Sequence, residues 1–370
     1  MNIRKHRGRK LVSLILVVLI LQLSFPVTAE VLNQSNLDLN YFLYIKSLIE
    51  NNYFYDLTES ELMEGAIKGL FQALDENSQY YTKEEYEKLV EDLSGDFVGI
   101  GVYIKEDKGS IIITESIKGS PAEKAGLKPQ DEIISVDGKS VKGKSLEEVT
   151  RLIKGAPGTT VKIGINRNNR KIYKNIKRAE ITINPVEYQI LKDNIGYLKI
   201  SQFNPHTYES VLSALKEFDK KKISNIIIDL RNNPGGMLGE VVNVLNLFIP
   251  EGPIVHVKYK NNVEQTYYSK LKKAKYKLAV LVNENSASAS EIFAGAVKDR
   301  EVGKIIGTKT YGKGTVQQII TLPYGDGIKL TIAEYQTPNR KTINQKGIQP
   351  DIVVRNPNQQ LQKAIEILSQ

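Results

Sequence analysis

Asn225-Ile226-Ile227-Ile228-Asp229-Leu230-Arg231-Asn232-Asn233-Pro234-Gly235-Gly236 is the stretch on which the fold turns. Its first six residues centre on an apolar run, Ile226-Ile227-Ile228, of the kind found in strands buried on both faces. Pro234-Gly235-Gly236 ends the run, and a helical pattern follows over Gly239–Phe248. Leu278-Ala279-Val280-Leu281-Val282 is a second such run, leading through a loop into a helical pattern over Ser290–Lys298. The repeat is strand, turn, helix. It predicts an α/β core over residues 182–356, in which ligands bind beyond the carboxyl ends of the strands. Asn358–Leu368 closes the chain as a short helix, within a C-terminal segment 357–370.

The second turn reads Asn283-Glu284-Asn285-Ser286-Ala287-Ser288-Ala289-Ser290-Glu291 and opens a helix with an apolar face of Ile292, Phe293, Ala296 and Val297. A serine here sits where backbone N–H groups are unsatisfied and the helix dipole is positive, so an oxyanion is stabilised, and the flanking alanines admit a peptide backbone. The plain alternative is helix capping by Ser286 or Ser288. Gly235 and Gly236 bring a second set of N–H groups to the same sheet edge, unobstructed by a Cβ, although most such stretches are only turns.

Further along lies Thr310-Tyr311-Gly312-Lys313-Gly314-Thr315-Val316-Gln317. Lys313 and Gln317 are four residues apart, a spacing that places both on one face in a helix or a strand. A lysine between glycines is commonly an exposed turn residue. To act as a base it must lose its proton near neutrality, which asks burial to lower a pKa near 10.4 by roughly three units. Gln317 would hold the amine without adding charge. Gly307-x-x-x-x-Gly312-Lys313 also begins like a phosphate-binding loop. Gly314 stands where that motif needs Ser or Thr, and Thr315–Thr321 reads as strand where it needs a helix.

Working outward toward the N-terminus, residues 95–181 carry short β-type runs punctuated by Gly and Pro: Val98–Ile104, Ser110–Ile117, Glu132–Val136 and Thr160–Ile165. Helices are expected at Pro121–Gly126 and Ser145–Lys154, the second capped by Ser145 with Glu148. Residues 30–94 read as a helical arm, with apolar spacing at Leu43, Ile45, Leu48 and Ile49 and again at Met63, Ile67, Leu70, Phe71 and Leu74. Thr58 before Glu61 marks a helix start.

Residues 1–29 have the order of a secretory signal: a basic leader, an apolar run from Leu11 to Phe25, Pro26, and the small-residue site Val27-Thr28-Ala29. The run of about 15 residues is short of the roughly 20 that span a bilayer, which favours cleavage after Ala29 over an N-terminal anchor. The expected location is therefore across the cytoplasmic membrane: secreted, periplasmic, or anchored at its outer side through the N-terminus. The net charge of +9 includes five leader cations, Arg4, Lys5, Arg7, Arg9 and Lys10, leaving +4 on mixed surface. That argues against nucleic acid as a partner. With no cysteine and three histidines in no metal-type spacing, thiol chemistry is excluded and a zinc site is disfavoured.

The chain resembles the carboxy-terminal processing peptidases, or tail-specific proteases, over nearly all of residues 30–370. The resemblance runs through Leu74–Tyr81, Gly99-Ile100-Gly101-Val102, Ser120–Leu127, Asp229–Gly236, Ser286–Glu291, Gly312–Gly314 and Lys346-Gly347-Ile348-Gln349-Pro350-Asp351. It implies a β-rich PDZ domain, residues 95–181, inserted between the helical arm and a crotonase-like α/β protease core. It implies a Ser/Lys dyad assisted by glutamine, roles that fall on Ser288, Lys313 and Gln317. Acyl transfer would then proceed with amides near Gly235, Gly236 and Ala289 binding the oxyanion, and with no metal or nucleotide cofactor.

The resemblance further implies that Gly99, Ile100, Gly101 and Val102 form a carboxylate-binding loop, with the peptide adding as a strand. Polypeptides with unstructured, apolar C-termini are the expected substrates. Arg151 and Lys154 are candidates for relaying peptide binding to the dyad, and the helical arm and C-terminal helix for homodimer formation, as similar segments do in relatives. The rival class is a PDZ-bearing adaptor with a silent core, which predicts tail binding without cleavage.

Overall fold

The computed structural model describes residues 29–370, with side chains from residue 38 onward. The expected signal segment lies outside the described residues, apart from Ala29. Two compact units divide the chain, one up to residue 67 and one from residue 68. In the first, α1 (Ala29–Asn52) precedes the start of α2 (Glu59–Gln72). Thr58 and Glu61 cap α2 reciprocally: the Glu61 amide donates to Thr58 Oγ1 at 3.2 Å and the Thr58 amide donates to Glu61 Oε2 at 2.8 Å.

Residues 30–94 are not wholly helical, contrary to the sequence reading. A short strand, β1 (Gln79–Tyr81), precedes α3 (Lys83–Ser94), which Thr82 caps and Gly95 ends with a left-handed φ of 74°. Three residues carry no visible strand periodicity. β1 exists because a distant strand pairs with it.

The next module runs β2 (Asp96–Gly99), β3 (Val102–Asp107), β4 (Ser110–Ser116), α4 (Pro121–Lys124), β5 (Glu132–Val136), β6 (Lys139–Ser140), α5 (Leu146–Ile153), β7 (Thr160–Arg167), β8 (Arg170–Lys177) and β9 (Ala179–Thr182). Its antiparallel sheet has the order β3-β4-β5-β7-β8, with β6 on β5. Ile111, Ile113, Ile133, Val149, Val161, Ile163 and Ile165 fill its core. The run Val98–Ile104, expected as one strand, is two. Ile100 and Gly101 break it, Gly101 at a φ of 82°, where an added Cβ would lie 2.3 Å from that of Ser120. β2 instead pairs with β9, so the segments entering and leaving the module form a two-stranded ribbon.

The remaining elements are β10 (Val186–Ile190), β11 (Ile195–Ile200), α6 (Thr207–Lys220), β12 (Asn225–Asp229), α7 (Leu238–Leu245), β13 (Gly252–Tyr259), β14 (Glu264–Ser269), β15 (Lys277–Val282), α8 (Ala289–Asp299), β16 (Gly303–Gly307), β17 (Thr315–Thr321), β18 (Gly327–Gln336), β19 (Ile352–Val353) and α9 (Pro357–Leu368). One sheet has the order β10-β11-β12-β15-β16-β19, parallel from β11 onward. Its central strands, β12 and β15, are apolar along most of their length because both of their faces are covered. Ile226 and Ile228 of β12 and Leu278, Val280 and Val282 of β15 face a core shared with α6, α7 and α8, whereas Ile227, Ala279 and Leu281 face a second core shared with α9. Each buried branched side chain contributes roughly 1.5–3 kcal/mol, so a polar residue on either face is costly.

A second, antiparallel sheet has the order β1-β18-β13-β14, with β17 also on β18. Here β1 finds its partner, and Tyr80 Oη donates to Asp326 Oδ2 at 2.9 Å.

Candidate active site

The loops after β12 and β15 lie side by side at the carboxyl edge of the parallel sheet. Asn233, fully buried, ties them together: its carbonyl accepts from the Ala287 amide at 3.1 Å and from Ser290 Oγ at 3.0 Å, while its side chain donates to the Ile200 carbonyl at 2.9 Å. Three serines cluster here, and their hydroxyls are not equivalent. Ser286 Oγ donates to the Leu230 carbonyl at 2.8 Å, and Ser290 Oγ is spent on Asn233. Ser288, half-buried at the N-cap of α8, makes no side-chain cap hydrogen bond. Its φ of 53° and ψ of −114° put a non-glycine residue in a sparsely populated backbone region. Ser288 keeps the glutamate half of a capping box, its amide donating to Glu291 Oε2, while the residue itself lines the cleft.

Glu291 organises the site, a role the sequence reading did not assign. This fully buried carboxylate accepts from the amides of Ser288 (2.9 Å), Gly312 (2.7 Å) and Lys313 (2.8 Å) and from Thr310 Oγ1 (2.6 Å). Burial pushes its pKa up and the four donors oppose the rise. Tyr335, also fully buried, sets its hydroxyl against the carbonyls of Ser288 and Lys313. The serine and lysine segments are thus fastened to each other from two sides. The Gly312 and Lys313 amides donate to Glu291 and the following segment is β17, so the phosphate-loop reading loses its cradle and its helix.

Lys313 is half-buried, and its Nζ makes no hydrogen bond or ion pair among the described residues. Burial holds its pKa below the ordinary lysine value, helped by the charge of Lys329 and opposed by Asp75 and Glu76. That is the direction a neutral base requires. Gln317 does not grip the amine: its Nε2 donates to Thr315 Oγ1 at 2.9 Å and Thr331 Oγ1 at 3.1 Å. Four-residue spacing did not guarantee contact here because Lys313 precedes β17 and the ladder shifts register between Val316 and Gln317.

Of the three expected oxyanion donors, the Gly235 amide is already engaged by Asn233 Oδ1 at 2.8 Å. The amides of Gly236 and Ala289 have no acceptor among the described residues. Gly235 and Gly236 adopt φ of 106° and 141°, and an added Cβ at Gly236 would lie 2.1 Å from the Phe203 carbonyl oxygen. Ser288, Ala289, Gly235, Gly236, Lys313 and Gln317 all border one cleft of about 420 Å³, whose apolar lining includes Met237, Leu238, Ile292 and Val316. Leu89 and Leu93 of α3 also line it.

In the β-rich module, the Ile100 carbonyl accepts from the Ala122 amide at 2.8 Å and the Gly101 carbonyl from the Ile117 amide at 2.9 Å. The Ile100 and Gly101 amides have no acceptor among the described residues, whereas Gly99 is paired in the β2–β9 ribbon and Val102 begins β3. Lys154 forms an ion pair with Glu91 of α3, two residues from the cleft-lining Leu89 and Leu93. Arg151 is exposed and makes no ion pair among the described residues.

These features define a class: an α/β core that brings a serine at a helix start and a half-buried lysine to one cleft, with a β-rich module ahead of it. Residues 194–354 match peptidase family S41, and residues 112–167 match a PDZ domain. A probable CtpA-like serine protease of Staphylococcus haemolyticus (strain JCSC1435) is 41% identical over 322 residues, covering 86% of this chain and 65% of that protein. Carboxy-terminal processing protease CtpB of Bacillus subtilis (strain 168) is 38% identical over 342 residues, covering 90% and 71%. The chain thus spans roughly two thirds of these relatives' length. The solved photosystem II D1 C-terminal processing protease aligns with a TM-score of 0.53 at 27% identity, covering 89% and 91%. The chain belongs to peptidase family S41, among the carboxy-terminal processing proteases.

Proposed function

We propose that the chain is an exported serine endopeptidase that takes polypeptides by their C-termini through the PDZ domain and cleaves them with a Ser288–Lys313 dyad. The observation that carries this reading is the fastening of Ser288 to Lys313 through Glu291 and Tyr335, with a serine hydroxyl and a lysine amine that have no hydrogen-bond partner among the described residues on the same cleft. Neutral Lys313 takes the Ser288 Oγ proton as Oγ attacks the scissile carbonyl carbon. The amides of Gly236 and Ala289 hold the resulting oxyanion. Collapse breaks the C–N bond, and the Lys313 ammonium returns the proton to the leaving amine. Water, deprotonated by Lys313, then hydrolyses the ester and frees Ser288. The apolar cleft lining supports extended, apolar substrate segments, and the free Ile100 and Gly101 amides support capture of a terminal carboxylate.

The test is mass spectrometry of peptides ending in apolar or charged residues after incubation with the purified chain. Cleavage that favours apolar, free-carboxylate ends and is lost in Ser288→Ala and Lys313→Ala is expected; turnover by either variant at the native rate overturns the dyad. A peptide-binding adaptor with a silent core is the second reading, supported by Gln317 pointing to Thr315 and Thr331. Tail binding without any product would establish it.

Export rests on the leader sequence, and mapping the N-terminus of the protein from cells tests cleavage at Ala29 against retention of a membrane anchor. Exposed Leu39, Phe42, Leu43 and Leu48 on α1 support self-association into a homodimer. Sedimentation velocity would show a monomer if that is wrong.

A further inference from the structure

The segment between α2 and β1 meets the site through Thr331. Gln317 and Thr331 are register partners in β17 and β18, and Gln317 Nε2 donates to Thr331 Oγ1. Thr331 Oγ1 donates in turn to Asp75 Oδ1 at 3.0 Å. The Thr331 amide donates to Ser78 Oγ at 3.0 Å, and Ser78 Oγ donates to Asp75 Oδ2 at 2.8 Å. The Asn77 amide completes the ring by donating to Asp75 Oδ1 at 2.9 Å. Asp75 and Glu76 also line a cleft of about 410 Å³ with Gly312, Lys313 and Thr315. One carboxylate therefore meets the glutamine through a single threonine and faces the lysine across a cleft.

We propose that Asp75 is a positioning residue for the dyad: through Thr331 it fixes the orientation of Gln317, and by facing Lys313 it sets the pH range in which that lysine works. The inference rests on the reading of Lys313 as the base. Although burial opposes ionisation of Asp75, hydrogen bonds from Ser78, Asn77 and Thr331 hold its pKa below the usual carboxylate value, so it is charged near neutrality. The other charged or titratable groups around Lys313 are Glu76 beside Asp75, Lys329 and Tyr335 on β18, and Glu291 on α8, whose carboxylate is bound to the Lys313 amide. Asp75 and Glu76 favour the ammonium, whereas burial and Lys329 disfavour it. Removing the Asp75 charge leaves Glu76 to oppose burial and Lys329.

Two substitutions separate the roles. Asp75→Asn keeps an oxygen for Thr331 and deletes the charge; Thr331→Val keeps the charge and deletes the relay. The pH dependence of kcat/KM on a cleavable peptide is measured for both and for the native chain, with circular dichroism confirming folding. Asp75→Asn is expected to move the inflection assigned to Lys313 toward acid by about half a unit or more. Thr331→Val is expected to leave the inflection in place and lower the plateau about tenfold, with the loss in kcat and not KM.

An unmoved inflection in folded Asp75→Asn overturns the charge role, and an unchanged plateau in Thr331→Val overturns the positioning role. If Asp75→Asn does not fold, Thr331→Val alone decides the positioning role by the same criterion. Failure of the underlying reading is distinct: Lys313→Ala would then turn over like the native chain. With the native inflection present and Lys313→Ala inactive, failure of the Asp75 and Thr331 variants to behave as stated falls on this inference alone.

Discussion

The amides of Ser288 and Lys313 converge on one oxygen, Oε2 of Glu291, at 2.9 and 2.8 Å. A carboxylate can accept both while its other oxygen serves Gly312 and Thr310. Glutamine offers one oxygen and an NH₂ group that would confront donors, and each buried donor left unmatched costs about 1–3 kcal/mol. Glu291→Gln is expected to lower kcat at least ~100-fold with KM little changed. Steady-state kinetics beside a thermal melt check this.

Tyr335 supplies the second fastening. Tyr335→Phe preserves the ring's packing and leaves the Ser288 and Lys313 carbonyls without their hydroxyl. The expected loss of stability is about 1–3 kcal/mol by chemical denaturation, accompanied by a roughly tenfold fall in kcat.

The depressed pKa of Lys313 has a consequence for stability as well as for rate. The cause is chiefly burial, so the folded state disfavours the ammonium, and kcat/KM should rise with pH through an inflection below 10.5. By linkage, stability is full above the unfolded lysine pKa and is lost as pH falls through the folded one. Lys313→Met, with no charge to bury, should therefore exceed the native chain in melting temperature at low pH, and the excess should shrink as pH rises.

Gly236 and Gly239 provide a paired comparison. A Cβ at Gly236 would strike the Phe203 carbonyl, which already accepts from the Met237 amide at 2.7 Å, and the φ of 141° is strained for any L side chain. At Gly239, on α7, an added Cβ has nothing within 4 Å. Gly236→Ala is expected to abolish activity and lower stability, whereas Gly239→Ala should gain about 0.5–1 kcal/mol and retain activity. Denaturant melts and peptide cleavage on both variants check the contrast.

The parallel sheet was legible because Asn225–Leu230 and Leu278–Val282 are apolar on both faces, a local property. So was Ser288 as a residue at a helix start. What stayed hidden depends on contacts between distant segments. β1 is three residues long and exists through pairing with β18, some 250 residues later. Glu291 looked like a first-turn acid of α8, and only the fold brings Gly312 and Lys313 to its carboxylate. Tyr335 gave no signal beyond a strand aromatic. The Lys313–Gln317 spacing misled because periodicity assumes an unbroken strand, and here a loop and a register shift intervene.

The central claim is that Ser288 is the nucleophile and Lys313 its base. Intact-mass spectrometry of the purified chain after brief exposure to an activated peptide ester reads this directly. The account predicts one acyl adduct, mapped by digestion to Ser288, absent in Ser288→Ala and formed at least ~100-fold more slowly in Lys313→Ala. An adduct on Ser286 or Ser290, or acylation of Lys313→Ala at the native rate, would contradict it.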